Sequence, residues 1–177
     1  MRLLFIHGLE SNSIKPDKLK YLDSLDTVTD IIAPIIKWKT EKPKEIWDKL
    51  IKHINSVKPD YIIGSSIGGY TAYCLGNHLK IKTILFNPSL KGNSINLVFN
   101  FNKNNIHHKV VLSENDTTVD NFEVLKYLND NNDNFDWFKI PGGHQVKLAD
   151  FKKGINWSLS INETNRIINF NEFIKLI

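Results

Sequence analysis

The chain of 177 residues contains one cysteine, Cys74, one methionine and two arginines, Arg2 and Arg166. A single thiol excludes an intrachain disulfide and makes no metal cluster by itself, which fits a reducing compartment and a cytoplasmic location. Two guanidinium groups are too few for a basic nucleic-acid-binding stripe. The net charge of +4 comes from scattered lysines, and no nucleic-acid partner is expected. Apolar runs are short as well. None approaches the roughly 20 residues of a membrane span, so no membrane partner is expected. The run Leu3-Leu4-Phe5-Ile6 stops at His7-Gly8 with no small-residue cleavage site after it, and reads as a first strand rather than a signal peptide. Glycine is limited to nine positions, which makes three of them in the six residues Gly64-Ser65-Ser66-Ile67-Gly68-Gly69 informative.

What remains is an ordinary globular composition, 41% hydrophobic and 24% charged, in a length that suits a single domain over residues 1–177. Apolar strand-like runs alternate with amphipathic segments, the pattern of a parallel sheet covered on both faces. Strands are expected over 3–7, 28–33, 61–65, 83–87, 109–113 and 135–140. Pro43 opens the clearest helix, whose Ile46, Trp47, Leu50, Ile51, Ile54 and Val57 share one face. Further helices are expected over 67–79, 119–128 and 162–176, with 91–105 irregular. The fold class is therefore α/β, a three-layer αβα sandwich on a mostly parallel sheet of about six strands.

In such sheets ligands bind beyond the carboxyl ends of the strands, so the residues following each strand carry the chemistry. Ser66 follows the third, in a Gly-x-Ser-x-Gly turn between a strand and a helix that would lift its hydroxyl clear of the sheet. Gly64 and Gly68 remove the Cβ atoms that would collide in so sharp a turn. His144, on the loop Pro141-Gly142-Gly143 after the sixth strand, is the expected general base; His53 and His78 fall in helices, His107 and His108 precede a strand, and His7 braces its own loop. Asp116, after the fifth strand, is the expected partner of His144, with Asp120 the alternative and Glu114 close by. Backbone amides of Leu9 and Ile67 would form an oxyanion hole, with Gly8 allowing close approach of substrate. Trp38, Phe99 and Phe101, with Leu9 and Ile67, are the expected pocket walls.

Phe5-Ile6-His7-Gly8-Leu9, Gly64-Ser65-Ser66-Ile67-Gly68-Gly69-Tyr70, Phe86-Asn87-Pro88, Asp116 with Asp120, and Gly143-His144-Gln145 stand in this order between residues 3 and 145. Through them the chain resembles the small, lidless bacterial α/β-hydrolases of the YqiA/YcfP-like esterase group. The resemblance implies a minimal α/β-hydrolase fold, a Ser66, Asp116, His144 triad, and hydrolysis of a small-molecule ester or thioester with no cofactor and no metal. An amidase or acyltransferase would use the same residues, and a non-catalytic binding module would keep the scaffold.

Overall fold

The computed structural model describes residues 1–11, 13–93 and 95–159; the helix expected over 162–176 lies outside the described residues. Six strands, β1 (Arg2–Ile6), β2 (Asp30–Ile32), β3 (Tyr61–Ser65), β4 (Lys82–Phe86), β5 (His107–Ser113) and β6 (Asn134–Ile140), alternate with α1 (Pro16–Asp23), α2 (Pro43–Val57), α3 (Ile67–Leu79), α4 (Asn121–Asp130) and α5 (Leu148–Leu159). The strands pair entirely in parallel, in the order β2-β1-β3-β4-β5-β6.

Side chains alternate across a strand, and here both faces are apolar because both are covered. Leu4, Ile6, Ile62, Leu85, Val110 and Leu112 pack with Ile46, Leu50 and Ile54 of α2, Ala72 and Leu75 of α3, and Leu125 and Leu128 of α4. Their neighbours Leu3, Phe5, Ile63, Ile84, Phe86 and Val111 pack on the other face with Leu22 of α1 and Phe151 and Ile155 of α5. Each fully buried side chain of this size contributes about 1.5–3 kcal/mol. Leu85→Ala would leave a cavity costing about 2–5 kcal/mol. Cys74 lies buried within this core, where desolvation pushes its thiol up to about 12.

Three details differ from the sequence reading. Helices α1 and α5 are not among the expected elements, although Pro16 stands in the first turn of α1 and Phe151 and Ile155 repeat at helical spacing in α5. His107 and His108 lie inside β5 rather than before it. The α4 helix starts two residues later than expected because the Asp120 carboxylate accepts from the amides of Phe122 and Glu123 and so caps it.

Strand order sets the position of the site. From β1 the chain steps outward to β2, then returns to place β3 on the other side of β1. The loops leaving β1 and β3 therefore diverge and open a crevice at their carboxyl ends.

Candidate active site

Ser66 stands where β3 meets α3, with φ 56° and ψ −120°, a backbone conformation that costs a non-glycine residue of order 1–3 kcal/mol. Its surroundings hold it there. Its amide donates to Phe86 O (3.0 Å), and its carbonyl accepts from the amides of Tyr70 and Ser89 (both 3.1 Å). A Cβ at Gly64 would drive into the carbonyl of Gly68, and one at Gly68 into the carbonyls of Ile6 and His7. This close approach of α3 to β1 and β3 is what the spacing of the two glycines supplies.

The loop after β6 crosses back toward Ser66. Glu114 N donates to Ile140 O and Asn115 N to Gly142 O, both at 2.9 Å, tying the β5 and β6 loops together. His144 is thereby placed with Nε2 2.9 Å from Ser66 Oγ and Nδ1 2.8 Å from Asp116 Oδ2. The Asp116 side chain is fully buried, while that of His144 is 21% exposed. The other Asp116 oxygen accepts from the amides of Thr118 (2.8 Å) and Val119 (2.9 Å), which fixes the carboxylate in its turn. Nδ1–H then donates to Asp116, and Nε2 accepts from the serine hydroxyl. Asp120 is engaged in capping α4 instead.

Two residues named in the motifs turn out to hold this arrangement. Asn87 is fully buried at φ 43°, a left-handed conformation that asparagine tolerates. Its Oδ1 accepts from Ser113 N (2.7 Å), and its Nδ2 donates to Ser113 Oγ (2.9 Å) and His144 O (3.2 Å). It thus locks the His144 loop to the ends of β4 and β5. His7 is buried as well; its Nε2 accepts from Ile36 N (3.0 Å), which puts the proton on Nδ1 toward Gly8 O (2.8 Å), so the Trp38 indole N–H, 3.3 Å from Nδ1, meets a protonated nitrogen and not a lone pair. Desolvation lowers its pKa, consistent with a neutral ring. Ser11 N also donates to Gly8 O (3.3 Å). In a trans peptide the carbonyl and the following N–H point in opposite directions, so pinning Gly8 O aims the Leu9 amide away from His7. Ile67 is the first residue of α3, where an amide has no intrahelical acceptor.

A cavity of about 820 Å³ opens at this point; Gly8, Leu9, Ser66, Ile67 and His144 are among the residues lining it. Three expected wall residues lie elsewhere. Trp38 is buried behind His7, edge to face with it at 5.8 Å. Phe99 stacks on Tyr70 (6.1 Å) and packs against Trp47 (4.9 Å), while Phe101 meets the edge of Tyr73 (5.9 Å). The segment after Lys91 folds back over α3, where large apolar rings find more area to bury than they would at an open crevice. The actual walls include Ile14, Leu90, Val119, Val124 and Val146. Among the described residues no group of histidine, cysteine and carboxylate side chains could hold a metal ion, and no helix is long and apolar enough to cross a membrane.

Solved structures with the same architecture include Est1E of Butyrivibrio proteoclasticus, at 15% identity and TM-score 0.68, covering 89% of this chain and 86% of that one. S-formylglutathione hydrolase (FrmB) of Staphylococcus aureus matches at 15% identity and TM-score 0.64 over 90% and 81% of the two chains. A third, described as a putative hydrolase of the alpha/beta superfamily from Xanthomonas campestris pv. campestris, matches at 14% and 0.63 over 86% and 92%. At such identities the likeness is one of fold, and the fold is that of the α/β-hydrolases. No curated protein matches the chain in sequence. Residues 2–114, more than half of the chain, match the profile described as "Uncharacterised protein family (UPF0227)", and the chain belongs to that family.

Proposed function

We propose that the protein is a serine hydrolase that cleaves small carboxylic esters or thioesters through an acyl-enzyme. The observation that carries this reading is the continuous hydrogen-bonded line from the buried Asp116 carboxylate through His144 to a Ser66 hydroxyl held on a strained turn at the mouth of a cavity. Ser66 Oγ attacks the substrate carbonyl carbon while its proton passes to His144 Nε2, and the resulting imidazolium is stabilised by Asp116. The oxyanion is received by the Leu9 and Ile67 amides, preorganised donors that need no reorganisation as charge develops. Collapse of the tetrahedral intermediate breaks the carbonyl carbon's bond to the leaving oxygen or sulfur, which takes the proton from His144. A water then gives its proton to the same nitrogen as its oxygen attacks the acyl carbon, and collapse of this second tetrahedral intermediate breaks the bond to Ser66 Oγ, which takes the proton back as the acid leaves.

The test is turnover of p-nitrophenyl acetate and an acyl thioester by wild type and Ser66→Ala. The reading expects turnover by wild type and a loss on the order of 10⁴-fold or more in the variant, with the thermal midpoint within a few degrees. Unchanged turnover by Ser66→Ala would overturn it.

A further inference from the structure

The cavity beside Ser66 is lined by three lysines and three carboxylates that are unevenly paired. Among the acids that line it, Glu123 is ion-paired with Lys91, Asp120 caps α4, and Glu10 accepts from the Gln145 amide (2.9 Å). Lys15 and Lys18 also line it, and neither forms an ion pair among the described residues. Both belong to the segment that leaves β1 and enters α1, whereas Lys91, Asp120 and Glu123 belong to the segments leaving β4 and β5. Since β1 and β4 flank β3 on opposite sides, the two lysines without an ion pair stand on one side of Ser66, where Glu10 of the same segment is held off by its bond to Gln145.

Lys18 is more than a surface lysine at the rim. It is half-buried, with its ammonium 5.0 Å from the centroid of the Phe151 ring. That ring is fixed by stacking on Phe86 (5.0 Å) and by edge contact with Phe5 (6.2 Å), in the core under the sheet. A ring face attracts the charge but leaves ammonium hydrogens free to bond elsewhere. Burial, and then the neighbouring Lys15, hold the ammonium down to about 8, against a weaker opposing pull from Asp17. A desolvated cation with no carboxylate at ion-pair distance gains more from an incoming anion than a solvated one does, because less water must be displaced and the local dielectric is lower.

Resting on the hydrolase reading, we propose that the substrate carries an anionic group, a carboxylate or phosphate, bound by Lys18 and Lys15 on the β1 side of the cavity while Ser66 attacks the ester carbonyl. The chemistry at Ser66 is the one described above; the lysines bind and orient.

Matched ester pairs test this on each half of the substrate. On the acyl side, p-nitrophenyl hydrogen glutarate is compared with p-nitrophenyl pentanoate. On the leaving-group side, p-carboxyphenyl acetate and p-acetoxyphenyl phosphate are compared with phenyl acetate. Wild type is expected to favour the anionic member at least tenfold in kcat/KM on one of the two sides, and the stronger acceptor there identifies carboxylate or phosphate. Lys18→Gln should lower that ratio about tenfold, Lys18→Glu should carry it below unity, and Lys18→Arg should keep most of it. Lys82→Gln, at the opposite end of the sheet over Tyr61, should leave the ratio at its wild-type value. Because the readout is a ratio within one protein sample, a partly destabilised variant still reports. A wild-type ratio near unity on both sides, or a ratio unmoved by Lys18→Gln, overturns the proposal. Absence of turnover for every ester together with no fluorophosphonate labelling would instead bring down the hydrolase reading beneath it.

Discussion

Two imidazoles in this molecule have nearly the same hydrogen-bond complement and opposite surroundings. His144 sits beyond the carboxyl end of the sheet between a carboxylate and a serine hydroxyl, 2.8 and 2.9 Å away, with its side chain 21% exposed. His108, at the other end of β5, is fully buried between the Thr83 hydroxyl at 2.7 Å and the Asn77 side-chain amide at 3.3 Å. The Asn77 amide donates, so His108 Nε2 accepts and Nδ1–H faces Thr83. Protonating that ring would set two donors against each other, and desolvation, followed by the charges of His107 and Lys103, drives its pKa down to about 3. The difference teaches that partners alone do not make a general base. A carboxylate at Nδ1 and a place on the cavity wall are what His144 has and His108 lacks.

The largest expected effect separates the two rings directly. His144→Ala should lower ester turnover on the order of 10⁴-fold or more, while His108→Gln should retain turnover within about threefold when assayed near neutral pH below its melting point. Equal losses would remove the distinction. Next comes the carboxylate. Asp116→Asn leaves the imidazole without its anion and should cost roughly 10³–10⁴-fold in kcat, whereas Asp120→Ala should mainly cost about 1 kcal/mol of stability by uncapping α4. Urea melts run beside the kinetics read both; the reverse ranking would move the role to Asp120. Asn87 tests how His144 is held. Asn87→Ala frees the His144 carbonyl and orphans the buried Ser113 amide, so kcat should fall about tenfold with KM changing less, and stability by about 1–3 kcal/mol. A rise in KM with kcat intact would mark Asn87 as a pocket residue instead.

The smallest effect on turnover is expected where the linkage is plainest. His108 takes up a proton near 6.5 when unfolded and only near 3 when folded, so between these values the unfolded chain binds more protons. Stability therefore falls as the pH drops below about 6.5, and by pH 5 this ring alone accounts for about 2 kcal/mol. Urea denaturation of wild type and His108→Gln at pH 7 and at pH 5 checks the sign: the gap between the two proteins should shift in favour of the variant on acidification. A gap independent of pH would show that His108 is not held neutral.

Much of the architecture was legible in the sequence because parallel strands buried on both faces must be apolar throughout, and Tyr61-Ile62-Ile63 or Val110-Val111-Leu112 have few other uses. Ser66 and His144 stood out because glycine-rich segments at strand ends restrict where a side chain is aimed. Trp38, Phe99 and Phe101 were misplaced for the opposite reason. An aromatic residue in an irregular segment packs wherever it buries most area, and nothing local says that this is α3 rather than the crevice. Lys18 and the bracing roles of Asn87 and His7 depend on contacts with residues far off in sequence, such as Phe151, Ser113 and Ile36. Helix α1, only eight residues long, carries too little apolar periodicity to stand out in the sequence, although Pro16 at its start is a readable signal.

The central claim is that Ser66 is a nucleophile activated by His144, and the most direct measurement is fluorophosphonate labelling with the adduct located by peptide mass spectrometry. The account predicts one adduct, on Ser66, formed at a similar rate in wild type and His108→Gln and nearly abolished in His144→Ala. An adduct on Ser65 or Ser89, or labelling of Ser66 at an undiminished rate without His144, would contradict it.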